Sequence, residues 1–179
     1  ERRRLWDLNL LAAEYYHRLL MESEEAAGAR DYLAKRGLHG ETLRAFQVGY
    51  ARDSWRALAG YLKTQGWQEA DLLTAGLAIE REGGDGVYDR FRGRIIFPIR
   101  DAHGHVCGFG GRVLDDSLPK YLNSPQTPVF DKGRVLYGID LARQASRETG
   151  TVVLVEGYTD VLMAHQGGFK NVVGVMGTA

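Results

Sequence analysis

The sequence predicts an α+β N-terminal subdomain over residues 1–150, helical first and then built of mixed antiparallel strands, followed over residues 151–179 by the first βαβ unit of an α/β fold. Three observations predict this fold class. Apolar residues recur at helical spacing up to about residue 75. Strand-like segments joined by glycine-rich turns then take over. Near the C-terminal end, residues 152–155 form an apolar run that predicts a strand buried on both faces.

The first part of the chain contains the predicted helices. They cover residues 3–23, 26–36, 41–46, 54–65 and 68–75, with a short strand at 48–51. Gly37 provides a stop for the second helix, and Ser54 is expected to cap the N-terminus of the helix over 54–65. Trp6, Trp55 and Trp67 are expected in the core, because large aromatic rings bury most of their surface.

The middle of the chain predicts strands. Residues 82–86 are glycine-rich and predict a loop or hairpin turn. Strands follow over residues 94–100 and 105–114, joined by a tight turn at 101–104. Residues 119–133 predict an ordered surface loop, and residues 141–148 predict a helix that leads into the apolar strand.

Composition limits the classes of protein that fit. The 179 residues are 44% hydrophobic and 26% charged, which is ordinary for a soluble globular protein. No apolar run is long enough to span a membrane, so we expect a cytoplasmic protein without membrane contact. Cys107 is the single cysteine, and the histidines show no zinc-ligand spacing. The net charge of zero argues against a protein that coats nucleic acid over its whole surface.

The charge is nevertheless uneven along the chain. Between residues 90 and 134, basic side chains outnumber acidic ones. The basic ones are Arg90, Arg92, Arg94, Arg100, Arg112, Lys120, Lys132 and Arg134, and the acidic ones are Asp101, Asp115, Asp116 and Asp131. This segment predicts a local site for a polyanion.

Three arginines alternate at the start of this segment. In an extended chain, Arg90, Arg92 and Arg94 project from one face, where they repel each other unless an anion lies against them. Phosphate is the expected partner, because a guanidinium group can bind it with two hydrogen bonds. The alternative is an edge strand protected from aggregation by its charge.

Glycines surround the next arginine. In the segment Gly108-Phe109-Gly110-Gly111-Arg112, the missing side chains allow a backbone or a phosphate chain to approach closely. The alternative is a β-bulge or a tight bend, in which glycine is also common.

A loop with three different binding groups follows. Lys120, Tyr121 and Asn123 can contact a phosphate, stack on a base and hydrogen-bond a base edge. Alternatively, Tyr121 packs into the core. Lys132 extends the basic track, whereas Arg36 can instead stabilise the C-terminus of its own helix.

Two carboxylates lie where the apolar strand ends. The strand stops at Glu156, Gly157 lets the chain turn, and a helix is predicted over residues 158–166. Asp160 can face the same way as Glu156 from the first helical turn, which gives half of a magnesium site. The alternative is an acidic first turn that the helix dipole favours.

These segments together resemble a known family. Residues 90–100, 104–112 and 119–125, and Val-Glu-Gly-Tyr-x-Asp-Val at 155–161, have the order and spacing of the catalytic core of bacterial DNA primases of the DnaG type. The segment 155–161 resembles the opening of that family's TOPRIM metal-binding fold, and residues 175–179 resemble the start of its next motif. The resemblance runs from residues 32–38 onward.

The resemblance implies a DNA-directed RNA polymerase that joins ribonucleoside triphosphates into short primers on single-stranded DNA. Glu156 would be catalytic, as a metal ligand or proton acceptor, and would hold Mg²⁺ or Mn²⁺ with Asp160. The residues that match the family's template and primer groove are Arg36, Arg112, Lys120, Asn123 and Lys132. Arg90, Arg92, Arg94 and Tyr121 join them as candidates for contacts with template, RNA–DNA hybrid or nucleotide.

The resemblance also places parts of the family outside this chain. Further acidic motifs would lie beyond Ala179, and a zinc-binding module would precede Glu1. We therefore expect a catalytically inert segment of a longer protein, whose contacts with the replicative helicase lie elsewhere. Two alternatives remain at this point: a non-catalytic module that binds single-stranded nucleic acid, and a TOPRIM nuclease or topoisomerase.

Overall fold

The computed structural model describes residues 1–176 as a helical and antiparallel α+β domain that continues into a small mixed sheet. This confirms the predicted fold class. The last three residues of the motif expected at 175–179 lie outside the described residues.

The helices lie close to their predicted positions. They are α1 (Arg2–Glu22), α2 (Ala27–Lys35), α3 (Gly40–Ala45), α4 (Ala57–Thr64), α5 (Glu69–Thr74), α6 (Ile139–Thr149) and α7 (Tyr158–Gln166), and a 3-10 turn (Glu24–Ala26) precedes α2. The prediction that Ser54 caps α4 is wrong. The buried carboxylate of Asp89 does so instead, since it accepts hydrogen bonds from the backbone N–H groups of Leu58 (2.8 Å) and Ala59 (2.9 Å).

The strands form three sheets. They are β1 (Gly49–Ala51), β2 (Ala78–Glu80), β3 (Val87–Asp89), β4 (Arg94–Arg100), β5 (Val106–Val113), β6 (Tyr121–Asn123), β7 (Leu136–Tyr137), β8 (Val153–Val155) and β9 (Val172–Val175). The main sheet is antiparallel, in the order β1-β4-β5-β6, and β2 and β3 form a separate hairpin. In the third sheet β9 is central, with β8 parallel and β7 antiparallel to it.

The prediction that residues 152–155 are buried on both faces is wrong. The side chains of Val153 and Leu154 are 43% and 56% exposed. Strand β8 is an edge strand that pairs with β9 alone within residues 1–176, and its last residue, Val155, is half-buried against the main core. The apolar composition of Val153 and Leu154 therefore reflects sheet-forming character without local burial.

One hydrophobic core joins the two predicted parts of the chain. Tyr158, Val161 and Leu162 of α7 belong to the same buried cluster as Leu33 of α2 and Phe97 of β4. The third sheet also includes β7, which precedes residue 150 in the chain. The division at residue 150 stays a prediction.

Within residues 1–176, no helix is both long and apolar enough to cross a membrane.

Candidate nucleic-acid interface

Three neighbouring clefts surround the short strand β6. The carboxylate cleft, of about 420 Å³, is lined by Tyr121, Asn123, Tyr158, Glu156 and Asp160 among others. The lysine cleft, of about 500 Å³, is lined by Arg90, Tyr121, Asn123 and Lys132 among others. The arginine cleft, of about 390 Å³, is lined by Arg90, Arg92 and Arg94 with Asp53 and Asp115. Because neighbouring clefts share side chains of β6 or Arg90, they form one track.

The two candidate metal ligands lie at one end of this track. Glu156 is the first residue after β8 and is exposed, and Gly157 is the N-cap of α7. Asp160 lies in the first turn of α7, where its carboxylate packs against Gly157; a Cβ atom there would lie 2.8 Å from Asp160 Oδ2. The local turn thus brings both carboxylates to the same cleft.

These carboxylates fit part of a divalent cation site. Carboxylate oxygens are the ligands that Mg²⁺ and Mn²⁺ accept readily. Within residues 1–176, however, no group of three or more histidine, cysteine, aspartate and glutamate side chains is arranged to hold a metal ion. The described residues therefore supply part of a ligand set.

The interpretation of Arg90, Arg92 and Arg94 as one extended row is wrong. Residues 90–93 form a bend, because Gly93 takes a left-handed conformation (φ 59°), and β4 begins only at Arg94. The edge-strand alternative is also wrong, because β4 lies between β1 and β5. The three side chains still meet in the arginine cleft.

Each of these guanidinium groups is held by backbone carbonyl groups. Arg90 donates two hydrogen bonds to the carbonyl oxygen of Asn123 (3.1 and 2.8 Å), and burial lowers its pKa. Arg92 donates to the carbonyl oxygen of Asp89 (2.6 Å). None of the three arginines forms an ion pair with a carboxylate in the described part of the chain. Their positive charge is therefore not neutralised by a direct partner.

Arg94 is the most enclosed of the three. It is 7% exposed and donates to the carbonyl oxygens of Pro119 (2.7 Å), Gly111 and Lys120 (both 3.3 Å). Burial, and then the charge of Arg92, lower its pKa. Its donors hold the segment before β6 in place, which disfavours the predicted contact with a phosphate.

Arg112 lies between two aromatic rings. Its guanidinium carbon is 4.6 Å from the centroid of Tyr32 and 5.7 Å from that of Tyr121, and its Nε donates to the Tyr121 hydroxyl (3.3 Å). Arg36 approaches the same Tyr32 ring at 5.2 Å. Tyr32 was not among the predicted site residues, although it opens the segment 32–38.

Lys132 is an exposed cation in the lysine cleft, and Lys120 is an exposed cation next to β6 that lines none of the three clefts. Both side chains are exposed, and neither forms an ion pair with another described residue. The ring of Tyr121 is 43% exposed, so the alternative that it packs into the core is wrong. These groups can meet a polyanion without first breaking an internal contact.

The prediction that Trp55 is a core residue is also wrong. Its side chain is 61% exposed, with the guanidinium of Arg92 4.3 Å from the ring centroid. Tyr88 contacts the same ring edge to face. The indole is thus held by a cation and an aromatic edge near the arginine cleft.

The glycines of β5 accommodate aromatic rings. A Cβ atom at Gly110 would clash with the hydroxyl of Tyr158, and one at Gly108 would lie 2.8 Å from the ring of Phe130. One at Gly111 would lie 2.9 Å from the ring of Phe91. The prediction that a phosphate chain approaches these glycines is wrong where the rings fill the space, and the register of β4 and β5 shifts between Ile99 and Arg100, directly before Gly108, which agrees with the bulge alternative at that end only.

The fold and the clefts define a class of protein with two parts. The first is an antiparallel α+β domain, and the second is a βαβ unit with carboxylates after its first strand. A family model described as the DNA primase catalytic core, N-terminal domain, matches residues 15–143. A model of the Toprim domain matches residues 150–179. Because the first match covers most of the chain, the chain belongs to the DNA primase catalytic-core family.

Individual relatives agree with this assignment. The DNA primase of Deinococcus radiodurans is 49% identical over 177 residues, which cover 99% of this chain and 30% of the relative. The DNA primase of Clostridium acetobutylicum is 46% identical over 176 residues, or 98% and 28%. The chain thus spans less than a third of the length of these curated relatives.

Solved structures give the same result. The RNA polymerase domain of the Mycobacterium tuberculosis primase DnaG is 39% identical, with a TM-score of 0.94 over 100% of this chain and 58% of that chain. A DnaG primase catalytic domain bound to single-stranded DNA is 41% identical, with a TM-score of 0.88 over 99% and 57%.

Proposed function

We propose that this chain is part of a primase that synthesises short RNA primers on single-stranded DNA for DNA replication. The observation that carries the proposal is the shared wall of the clefts. Tyr121 and Asn123 border both the carboxylate cleft and the lysine cleft. A strand held along the basic track would therefore reach the carboxylates.

The proposed reaction is nucleotidyl transfer. The 3′-hydroxyl oxygen of the primer attacks the α-phosphorus of a ribonucleoside triphosphate, the bond to pyrophosphate breaks, and the hydroxyl proton leaves. Glu156 would bind Mg²⁺ or Mn²⁺ or accept this proton, and Asp160 would support the metal site. Divalent cations supply charge stabilisation of the attacking and leaving oxygens.

The basic residues would bind template, RNA–DNA hybrid or nucleotide. Lys120 and Lys132 are exposed cations, which fits contacts with phosphate groups. The Tyr121 ring is exposed and supported by Arg112, which fits stacking on a base. A similar solved structure is described as bound to single-stranded DNA, which supports the proposed ligand.

The remaining partners belong to the longer protein. We place it in the bacterial cytoplasm and expect the replicative helicase to bind outside these residues. Zinc is proposed only for a separate module. One solved relative, from Aquifex aeolicus, is described as containing zinc-binding and RNA polymerase domains.

A second candidate is a module that binds single-stranded nucleic acid without catalysis. The observation that favours it is the partial ligand set: the described residues hold no group of three or more potential metal ligands. In that case the basic track would function alone, and Glu156 would be structural.

Substitution of Glu156 separates the two candidates. In a full-length primase that carries this sequence, Glu156→Gln should abolish primer synthesis and leave the melting temperature and DNA affinity nearly unchanged. Glutamine keeps the size of the side chain but removes the charge and the proton acceptor. Incorporation of labelled ribonucleotides on a single-stranded template measures the effect.

Glu14→Gln is the matched control, because Glu14 is exposed on α1 and makes the same change of charge away from the clefts. It should synthesise primers at the wild-type rate. Near-normal synthesis by Glu156→Gln would instead support the binding module.

A further inference from the structure

Tyr158 is a buried side chain at the junction of the two matched segments. It opens α7 directly after Gly157, and it is 9% exposed. Its ring stacks on Phe97 of β4, with 4.8 Å between the centroids and 3° between the planes. This packing fixes the ring between the main sheet and the carboxylate cleft.

The hydroxyl of Tyr158 has one hydrogen-bond partner within residues 1–176. It donates to the side-chain oxygen Oδ1 of Asn123 over 2.7 Å. A tyrosine hydroxyl carries its proton at neutral pH, so Tyr158 is the donor in this bond.

This bond determines which way the Asn123 amide points. With the amide reversed, the buried hydroxyl would face an N–H₂ group, and its own proton would lose its acceptor. The observed orientation therefore directs the Nδ2 hydrogens away from Tyr158. Asn123 Nδ2 makes no hydrogen bond to another described residue, and Asn123 lines both the carboxylate and the lysine cleft.

The surrounding residues keep Asn123 in place. Gly110 is the cross-strand partner of Asn123, and only the absence of its side chain lets the Tyr158 hydroxyl reach the amide. Arg90 holds the backbone carbonyl of Asn123 with two hydrogen bonds. Asn123 is thus fixed through both its backbone and its side chain.

We propose that Tyr158 is a positioning residue, which orients Asn123 so that its Nδ2 group donates a hydrogen bond to an acceptor atom of the bound nucleic acid strand. The inference rests on the proposed function, because it requires that the clefts bind nucleic acid. An acceptor atom can belong to a base edge or to a phosphate. Tyr158 itself contacts neither.

Tyr158→Phe removes the hydroxyl and keeps the ring. Affinity for a single-stranded oligonucleotide should fall about two-fold if both orientations of the amide become equally populated, and about ten-fold if only one molecule in ten keeps the original one. The template KM should rise by the same factor in a full-length primase that carries this sequence, and kcat should stay within about two-fold, because orientation alters binding more than chemistry.

A double-mutant cycle distinguishes positioning from general stability. In an Asn123→Ala background, Tyr158→Phe should cost no further affinity, because the donor that it orients is gone. Tyr16→Phe is the matched control: Tyr16 is buried in the helical part, and its hydroxyl has no hydrogen-bond partner in the described part of the chain. It should leave the affinity unchanged.

If Tyr158→Phe does not fold, Asn123→Ala alone still tests whether Asn123 Nδ2 donates a hydrogen bond to DNA. It should lower affinity for DNA at a temperature where circular dichroism shows the variant to be folded, although its melting temperature should also fall somewhat, because the buried Tyr158 hydroxyl loses its acceptor. An oligonucleotide with abasic sites identifies the acceptor: the loss on Asn123→Ala disappears there if the acceptor is a base, and persists if it is a phosphate.

The two proposals fail in different ways. Equal losses from Tyr158→Phe in both backgrounds, or an unchanged affinity in Asn123→Ala, would overturn the positioning role while the wild type still binds DNA. A wild type that binds no single-stranded DNA would overturn the proposed function as well.

Discussion

The basic side chains in the three clefts and next to β6 differ in what their donor groups already bind. Arg94 is enclosed and holds three backbone carbonyl groups, whereas Lys120 is exposed and unpaired within residues 1–176. A guanidinium that satisfies buried carbonyls stabilises the fold, and an exposed ammonium group can release counterions when it meets a phosphate. The two residues should therefore respond differently to truncation.

Arg94→Ala should lower the free energy of unfolding by about 2–4 kcal/mol, because it leaves carbonyl groups before and within the main sheet without a donor. Lys120→Ala should leave the melting temperature unchanged and reduce the slope of log affinity against log salt by about 0.7, the value for one phosphate contact on a single strand. Chemical denaturation measures the stability of both variants, and fluorescence anisotropy at several salt concentrations measures the slope. A stable Arg94→Ala with a reduced slope would instead assign Arg94 to phosphate binding.

For single residues, the sequence predicts which side chains are basic or aromatic, but it does not predict which other side chains they contact. The segment 90–134 is basic, and Arg90, Arg92, Arg94 and Lys132 line connected clefts, whereas Arg112 and Lys120 line none of the three. The prediction that Arg90, Arg92 and Arg94 form one alternating row is wrong because one left-handed glycine, Gly93, bends the chain. The exposure of Trp55 depends on Tyr88 and Arg92, which lie far along the chain, so no local pattern could predict it.

Strand β5 is the element whose packing depends most on missing side chains. Gly108, Gly110 and Gly111 face rings from Phe130, Tyr158 and Phe91. The strand itself could be predicted from its position after a tight turn. The rings could not, because they come from three separate parts of the chain.

Gly110→Ala should destabilise the protein by more than about 2 kcal/mol, because the new Cβ would displace the Tyr158 ring from a packed position. The control is Gly60→Ala in α4, where a Cβ atom would meet nothing within 4 Å. That change should stabilise by about 0.5–1 kcal/mol, since alanine is the better helix former. Urea unfolding of both variants checks the pair, and equal stabilities would contradict the close approach at Gly110.

For strand β8, the sequence predicts the position of the strand but not its burial. Its position and its end at Glu156 follow from the apolar run and the glycine. Its burial does not, because a run of β-branched residues indicates a strand without showing how many layers cover it.

In the whole molecule, the two matched segments are joined by more than the chain. Residues of α7 belong to the main core, and Gln166 at the end of α7 accepts hydrogen bonds from the His39 backbone N–H and the Thr42 hydroxyl, both at 2.8 Å. Its amide also donates to the carbonyl oxygen of Gly37 (2.8 Å). These contacts tie α7 to the start of α3, which sequence patterns cannot reveal because the partners lie more than a hundred residues apart.

A chain cut after Gly150 should therefore fail to fold cooperatively. It would lose Tyr158, Val161 and Leu162 from the shared core and expose the surfaces that they cover. Thermal unfolding, followed by circular dichroism, should be broad compared with that of the 179-residue chain. A sharp transition within a few degrees of that chain would show that residues 1–150 form an independent domain and would contradict this expectation.

The contact between Tyr158 and Gly110 also limits how such proteins can be recombined. A Toprim unit grafted from a protein without this tyrosine would leave a hole beside Gly110 and release the Asn123 amide. Conversely, in an N-terminal part with any larger residue at position 110, that side chain would clash with Tyr158 of the native Toprim unit. Positions 110 and 158 can therefore be exchanged between lineages only as a compatible pair, although they lie in segments that separate family models describe.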